Sequence, residues 1–327
     1  MKWITFHLTA ILTLTAVAPQ LHVDAPDPAP KDTFSIIALP DTQAYAANDP
    51  KIFNTITQWI VDHQADQRIA FVSHVGDIVN DNVPKEWAVA VQAMAKLDGK
   101  IPYAFSVGNH DMKCADGDAA LFSASFPADH YKDNTWYGGQ IKNNADSFQR
   151  FEVQGLKFLI LHLECNAPDN VLAWADQVIA DHADRRVIIT THMFLGPLDR
   201  PKDARAWHDA PKGVMKWQKC HRDAGNTPQQ LWEKSFQKHK NLFLILCGDQ
   251  SRSQAMHLPL KGKHGNTVHA CLSDYREGYF RIYRFTPNKN EIRVMTFSPT
   301  LNELCTGTQL VPDEAKHQFT FNYDMTP

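Results

Sequence analysis

No CxxC pair occurs among the six cysteines of this 327-residue sequence, so a thiolate zinc site has no local scaffold. GxSxG is also absent, which removes the nucleophile elbow of serine hydrolases, and without GxxxxGK[ST] there is no phosphate loop of the P-loop NTPase type. Basic charge is not in excess: 33 Lys plus Arg stand against 36 Asp plus Glu, a formal charge of -3. No long-range positive field draws the chain toward nucleic acid or an anionic membrane. Internal repeats and low-complexity blocks are missing after about residue 32, which excludes solenoids and favours one domain from there to the end. With 43% hydrophobic residues the chain has ample material for a core.

The first residues, MKWITFHLTAILTLTAVAPQ, carry one lysine and then a Thr-studded apolar stretch too short to span a bilayer comfortably. This pattern predicts a signal peptide over residues 1–25 and a Pro-rich linker over 26–32, hence a secreted or periplasmic protein with no membrane attachment after processing. Export would permit disulfides, although spacing alone assigns none. Cys247 and Cys271 fall in strand-like runs that favour simple burial.

Hydrophobic periodicity alternates strand and helix through the first two-thirds. FSIIALP, AFVSHVG, YAFSVG, KFLILHLE, RVIITTH and FLILCG read as buried strands. PKIFNTITQWIVD, VPKEWAVAVQAMAKLDG, VLAWADQVIADH and TPQQLWEKSFQKH read as helices, the last capped by Thr227 with Pro228 at its first position. TVHACLSDY, YFRIYRF, EIRVMTFS and HQFTFNY are strand-like, with PNKN as a hairpin turn, so the C-terminal part is expected to be antiparallel. Residues 193–226 lack a clear period and read as a loop or cap, its tryptophans Trp207 and Trp217 joining Trp136 and Tyr137 as pocket-lining or core residues.

The chemistry collects where the strands stop. FSIIALP ends in Asp41-Thr42-Gln43, AFVSHV in Gly76-Asp77, YAFSV in Gly108-Asn109-His110-Asp111, RVIITT in His192, and FLILC in Gly248-Asp249. Ligands of open α/β sheets bind beyond the carboxyl ends of the strands, so these five tips can share one crevice. Carboxylates, an amide oxygen and imidazoles suit divalent ions such as Mn, Fe or Zn.

These blocks resemble the calcineurin-like metallophosphoesterases, whose ordered motifs are Asp-x-His, Gly-Asp, Gly-Asn-His-Asp/Glu, a lone His and Gly-His-x-His. GDIVND and GNHD match closely, LPDTQ and TTHM less so, and CGDQS departs most. The resemblance implies an α/β fold of two mixed β-sheets packed as a sandwich and flanked by helices, filling residues 33–327. It implies two divalent ions (Mn, Fe, Zn, Mg or Ca) held by Asp41, Gln43, Asp77, Asn109, His192 and Asp249, with Asp77 bridging. His110 would address the substrate, Asp111 would orient the His110 imidazole, and Arg252 is a candidate substrate-phosphate contact. The implied reaction is hydrolysis of a phosphomonoester or phosphodiester by a metal-bound hydroxide.

Gln43 stands where the first motif has histidine, and Asp249 and Ser251 replace both histidines of the last. One site therefore keeps its donors while the Asp41 side becomes poor in imidazole, which favours harder ions such as Mg, Ca or Mn. Gln254, His257 and His269 are candidates to fold back as substitutes. The departures also motivate an alternative from another class, a catalytically impaired binding module. Nucleic-acid cleavage, compatible with the fold, is disfavoured by the charge balance. The expected partner is a small phosphoester substrate.

Overall fold

A computed structural model describes residues 26–196, 220–250 and 254–326. The predicted signal peptide, Trp207, Trp217, Ser251 and Arg252 lie outside the described residues. Within them the strands are β1 (Phe34–Leu39), β2 (Ile69–His74), β3 (Tyr103–Phe105), β4 (Tyr137–Ile141), β5 (Asp146–Val153), β6 (Leu156–Leu163), β7 (Arg186–Thr191), β8 (Leu242–Cys247), β9 (Ala255–Lys261), β10 (Thr267–Ser273), β11 (Phe280–Thr286), β12 (Glu291–Ser298), β13 (Glu303–Leu304) and β14 (Phe319–Asn322). The helices are α1 (Gln43–Asn48), α2 (Pro50–Asp62), α3 (Pro84–Met94), α4 (Ala120–Ser125), α5 (Ala128–Tyr131), α6 (Asp169–Asp181) and α7 (Pro228–Lys234).

Two mixed sheets result. One runs β13-β12-β11-β1-β2-β3 with β14 on β12, and the other runs β4-β5-β6-β7-β8-β10-β9. Pairing is parallel across β1, β2 and β3 and across β6, β7, β8 and β10, and antiparallel elsewhere. Strands buried on both faces read as continuous apolar runs because each side meets a different layer. On β1, Ile36 and Ala38 face the opposing sheet while Ile37 and Leu39 face the helices. Helices α2 and α3 cover the first sheet through Phe53, Ile56, Ile60, Trp87 and Ala90; α6 and α7 cover the second through Val171, Ala175, Ile179 and Leu231. The order of layers is helix, sheet, sheet, helix.

The local signals act as expected at α7, where the Thr227 side chain accepts from the Gln230 amide and the Gln230 side chain returns the favour to the Thr227 amide. The helix expected from Pro84 to Gly99 is shorter: α3 ends at Met94, a 3-10 turn covers Ala95–Leu97, and Gly99 takes a positive φ. The expected linker is laid against the domain, since the Ala29 amide donates to the Asp66 carbonyl (2.7 Å) and Gln67 donates to the Pro26 carbonyl (2.9 Å). Trp136 and Tyr137 pack with Tyr131, which is the core use of these rings.

The sheets are tied together at one mouth, where the parallel strands end. Asp249 N donates to Asp41 Oδ2 (3.2 Å), His192 Nδ1 meets the Val75 carbonyl (3.0 Å), and Cys165 N donates to the Val107 carbonyl (2.8 Å). Each of these bonds joins a tip of one sheet to a tip of the other.

Candidate metal centre

Asp41, Asp77 and His192 each offer a donor atom, and these atoms lie within 4.8 Å of one another with all three residues buried. They come from the ends of β1, β2 and β7, two tips of one sheet and one of the other. Asp249, after β8, joins them: His192 Nε2 is 3.2 Å from Asp77 Oδ1 and 3.6 Å from Asp249 Oδ1. Four of the predicted donors therefore converge.

Close backbone approach makes this possible. A Cβ on Gly248 would sit 2.2 Å from Asp41 Oδ1, and one on Gly76 would sit 2.6 Å from His192 Nδ1. Gly76 also has φ +106°, open to glycine and strained for other residues. Asp77 and Asp249 themselves adopt left-handed conformations, at φ 49° and 67°. Such backbone costs a non-glycine residue about 1–2 kcal/mol and here turns each carboxylate back into the mouth.

The tautomer of His192 follows from its surroundings. Because the Val75 carbonyl can only accept, Nδ1 carries a hydrogen, so Nε2, which faces two carboxylates, holds a second proton in the charged ring and a lone pair in the neutral one. A backbone carbonyl holding the far nitrogen is the usual support of a metal-ligating imidazole. Asp41 Oδ1 and Gln43 Oε1 are buried without hydrogen bonds. This donor set fits a divalent cation.

The electrostatics agree with that fit. Burial, and then Asp274, push the Asp41 carboxyl well above the usual range. Burial opposes charge on His192, but Asp77, Asp249 and Asp41 overcome it and hold the imidazole well above its ordinary value. Asp274, which sequence reasoning passed over, is buried beside them; burial, then Asp249 and Asp77, raise it to about 7.

The GNHD loop is arranged differently from expectation. Asp111 does not orient the His110 ring: its Oδ1 accepts from the amides of Ile78 (2.8 Å) and Val79 (3.0 Å), and its Oδ2 from Gly108 (2.7 Å). Asp111 thus clamps the loops after β2 and β3 to each other, with its carboxyl raised to about 7 by burial and Asp77. The Asn80 carbonyl orients His110 instead, accepting from Nδ1 (2.6 Å), which leaves Nε2 to address a substrate. The His110 amide donates to Asp77 Oδ1 (2.9 Å), and Asn109 lies half-buried in the same loop. Gln43 opens α1.

The suggested substitutes do not reach the mouth. His257 and His269 stack on each other and on Phe319 and Phe321, within the ladder of β9 and β10. The Gln254 side chain is engaged by the Thr308 hydroxyl. A disulfide joins Cys114, just after the GNHD loop, to Cys220, while Cys247 and Cys271 are buried free thiols as anticipated.

The model of the calcineurin-like phosphoesterase family matches residues 34–250. The sequence is 28% identical over 315 residues to the uncharacterized protein YvnB of Bacillus subtilis (strain 168), covering 92% of this chain and 22% of that protein. It thus spans about a fifth of that relative's length. Purple acid phosphatase PPD1 from yellow lupin (Lupinus luteus) has a similar structure, with TM-score 0.56, 14% identity, and coverage of 91% of this chain and 55% of that one. A dimetal phosphatase from Danio rerio gives TM-score 0.54 and 11% identity, with coverage of 91% and 100%. At these identities the likeness concerns the fold.

Proposed function

Since the chain belongs to the calcineurin-like phosphoesterase family, we propose that it hydrolyses small phosphomonoesters or phosphodiesters with the help of two divalent metal ions. One observation carries the reading: His192 Nε2, Asp41 and Asp77 present donor atoms within 4.8 Å of one another, and with Nδ1 held by the Val75 carbonyl the neutral imidazole would direct its Nε2 lone pair at that point. Asp41, Asp77, Asn109, His192 and Asp249 would hold the ions, which supply Lewis-acid activation of water and of phosphoryl oxygens. His110, with Nδ1 committed to Asn80, meets the substrate through Nε2 and stabilises charge or gives a proton at the leaving oxygen. The Asp111 clamp keeps the His110 and Asp77 loops in register. Arg252 remains a candidate phosphate contact outside the described residues.

An exported protein is part of the same proposal. The Cys114–Cys220 bond supports it, because disulfides persist in oxidising compartments. N-terminal sequencing of the mature chain tests it, with cleavage near residue 25 expected and an intact Met1 contradicting it.

The activity is tested with aryl phosphate mono- and diesters in the presence of Mn, Fe, Zn, Mg or Ca. Asp77→Asn is expected to lower metal-dependent hydrolysis by more than about 100-fold. Full rate in that variant overturns the assignment. No turnover by the native chain with any of these ions favours the binding-module alternative that Gln43 and Asp249 suggest.

A further inference from the structure

Asp274 follows β10, the strand beyond β8 in the second sheet. The two strands are parallel, with Leu272 opposite Cys247. Two residues further along each strand stand Asp274 and Asp249, so the register brings both carboxylates to the same level of the mouth. Asp274 is only 4% exposed and its amide donates to the Gln254 carbonyl (2.9 Å). The next residue, Tyr275, accepts through its carbonyl from the Tyr45 hydroxyl of α1 (3.4 Å), and the Gly278 amide donates back to that hydroxyl (3.0 Å), so the chain after β10 is held against the helix that follows Asp41.

A buried carboxylate is costly unless something positive faces it. Among the described residues no lysine or arginine pairs with Asp41, Asp77 or Asp274, and the cation-capable side chain there is His192. Independently of the acidic cluster, His192 Nε2 and Asp41 Oδ1 are buried without hydrogen bonds and face the same place. The Asp41 side is also where the sequence is poorest in donors, with Gln43 and Ser251 in the positions of two imidazoles.

We propose that Asp274 is a metal ligand on the Asp41 side of the centre, adding a charged donor where the sequence has Gln43 and Ser251 in place of two imidazoles. This rests on the metal-dependent reading above and adds a sixth strand tip to it. With carboxylates on that side, the ion it takes belongs to the hard, oxygen-preferring class of Mn, Mg or Ca. The family model stops at residue 250 and so does not reach this residue.

Titration of metal-stripped full-length chain with Mn2+ tests the inference by stoichiometry. The native chain is expected to bind two ions. Asp274→Asn is expected to retain one and to weaken the other by about 10- to 100-fold. Two ions at native affinity in that variant overturn the inference, and the hydrolytic reading survives if Asp77→Asn still loses hydrolysis. No binding by the native chain overturns both. Asp274→His provides a second readout that does not need a loss: the weaker site should shift its preference from Mn2+ toward Zn2+ by about 10-fold or more. An unchanged preference contradicts coordination by residue 274.

Discussion

Two buried acidic clusters lie at strand ends of the second sheet, and they are neutralised in opposite ways. Beyond β6, Glu164 meets Lys142 directly, His221 Nε2 stands 3.5 Å from Glu164, and Asp146 Oδ1 accepts the Glu164 amide (2.9 Å). A covalent bond from Cys114 to Cys220 holds His221 close by. Beyond β7, β8 and β10, Asp249 and Asp274 join Asp41 and Asp77 around His192, and among the described residues no lysine or arginine pairs with Asp41, Asp77 or Asp274. The first cluster carries its cation in the sequence. Burial and then neighbouring carboxylates raise Asp146 in the first cluster just as they raise Asp41 and Asp274 in the second, so the difference lies in the lysine, and in the second the carboxylates outnumber the imidazole. Two groups of acidic residues of similar burial thus differ in the side chains beside them, and the proposed metal centre is the one without a lysine among the described residues.

Replacing the positive partner in each cluster should separate them. His192→Ala is expected to lower metal-dependent hydrolysis by about 100- to 1000-fold, measured as kcat/KM, and to abolish the rise in Tm on adding Mn2+. That rise is itself the second prediction: at a concentration 100 times Kd, one bound ion adds about 2.7 kcal/mol of stability, read from thermal melts with and without chelator. Lys142→Met should do the reverse, preserving metal content while costing about 2 kcal/mol in urea unfolding. The full cost of breaking a buried pair is discounted because Lys142 is one-third exposed. Equal metal loss in both variants would erase the distinction.

A neutral network supplies the control and the smallest effect. Ser73 links His162 (2.8 Å) and Thr190 (2.7 Å), and His162 Nδ1 meets Gln149 (2.8 Å), all buried between the sheets. Burial, and then His74, lower His162 to about 3. A depressed folded value means its contribution is complete above the unfolded value of about 6.5 and is lost as pH falls from there toward 3. The slope is up to about 1.4 kcal/mol per pH unit. His162→Gln should flatten the stability profile between pH 6.5 and 5 by denaturant titration, and an unchanged slope contradicts the account.

What the sequence discloses follows from burial. Strands β1, β7 and β8 lie between layers, so apolar runs mark them and their ends mark the mouth. Strand β5 mixes buried, half-buried and exposed residues without a regular period, and β9 is an edge strand containing Pro259, so neither stands out. Asp77 and Asp249 are legible because each follows a glycine that close approach requires. Asp274 follows Ser273 inside a run that reads on to Tyr275 as strand, and only the register against β8 brings it to the site. The direction of the Asp111 carboxylate, toward amides and away from the His110 ring, depends on where the β2 loop passes, which no local pattern encodes.

The central claim is that the tips of β1, β2, β3, β7, β8 and β10 hold divalent metal. Anomalous scattering from crystals of the full chain grown with Mn2+ tests it most directly. A peak is expected at about 2.0–2.3 Å from His192 Nε2 and from Asp77, with the Asp41 carboxylate in the same cluster. Well-ordered density for these side chains with no peak among them, or with Mn2+ bound only elsewhere on the surface, would contradict it.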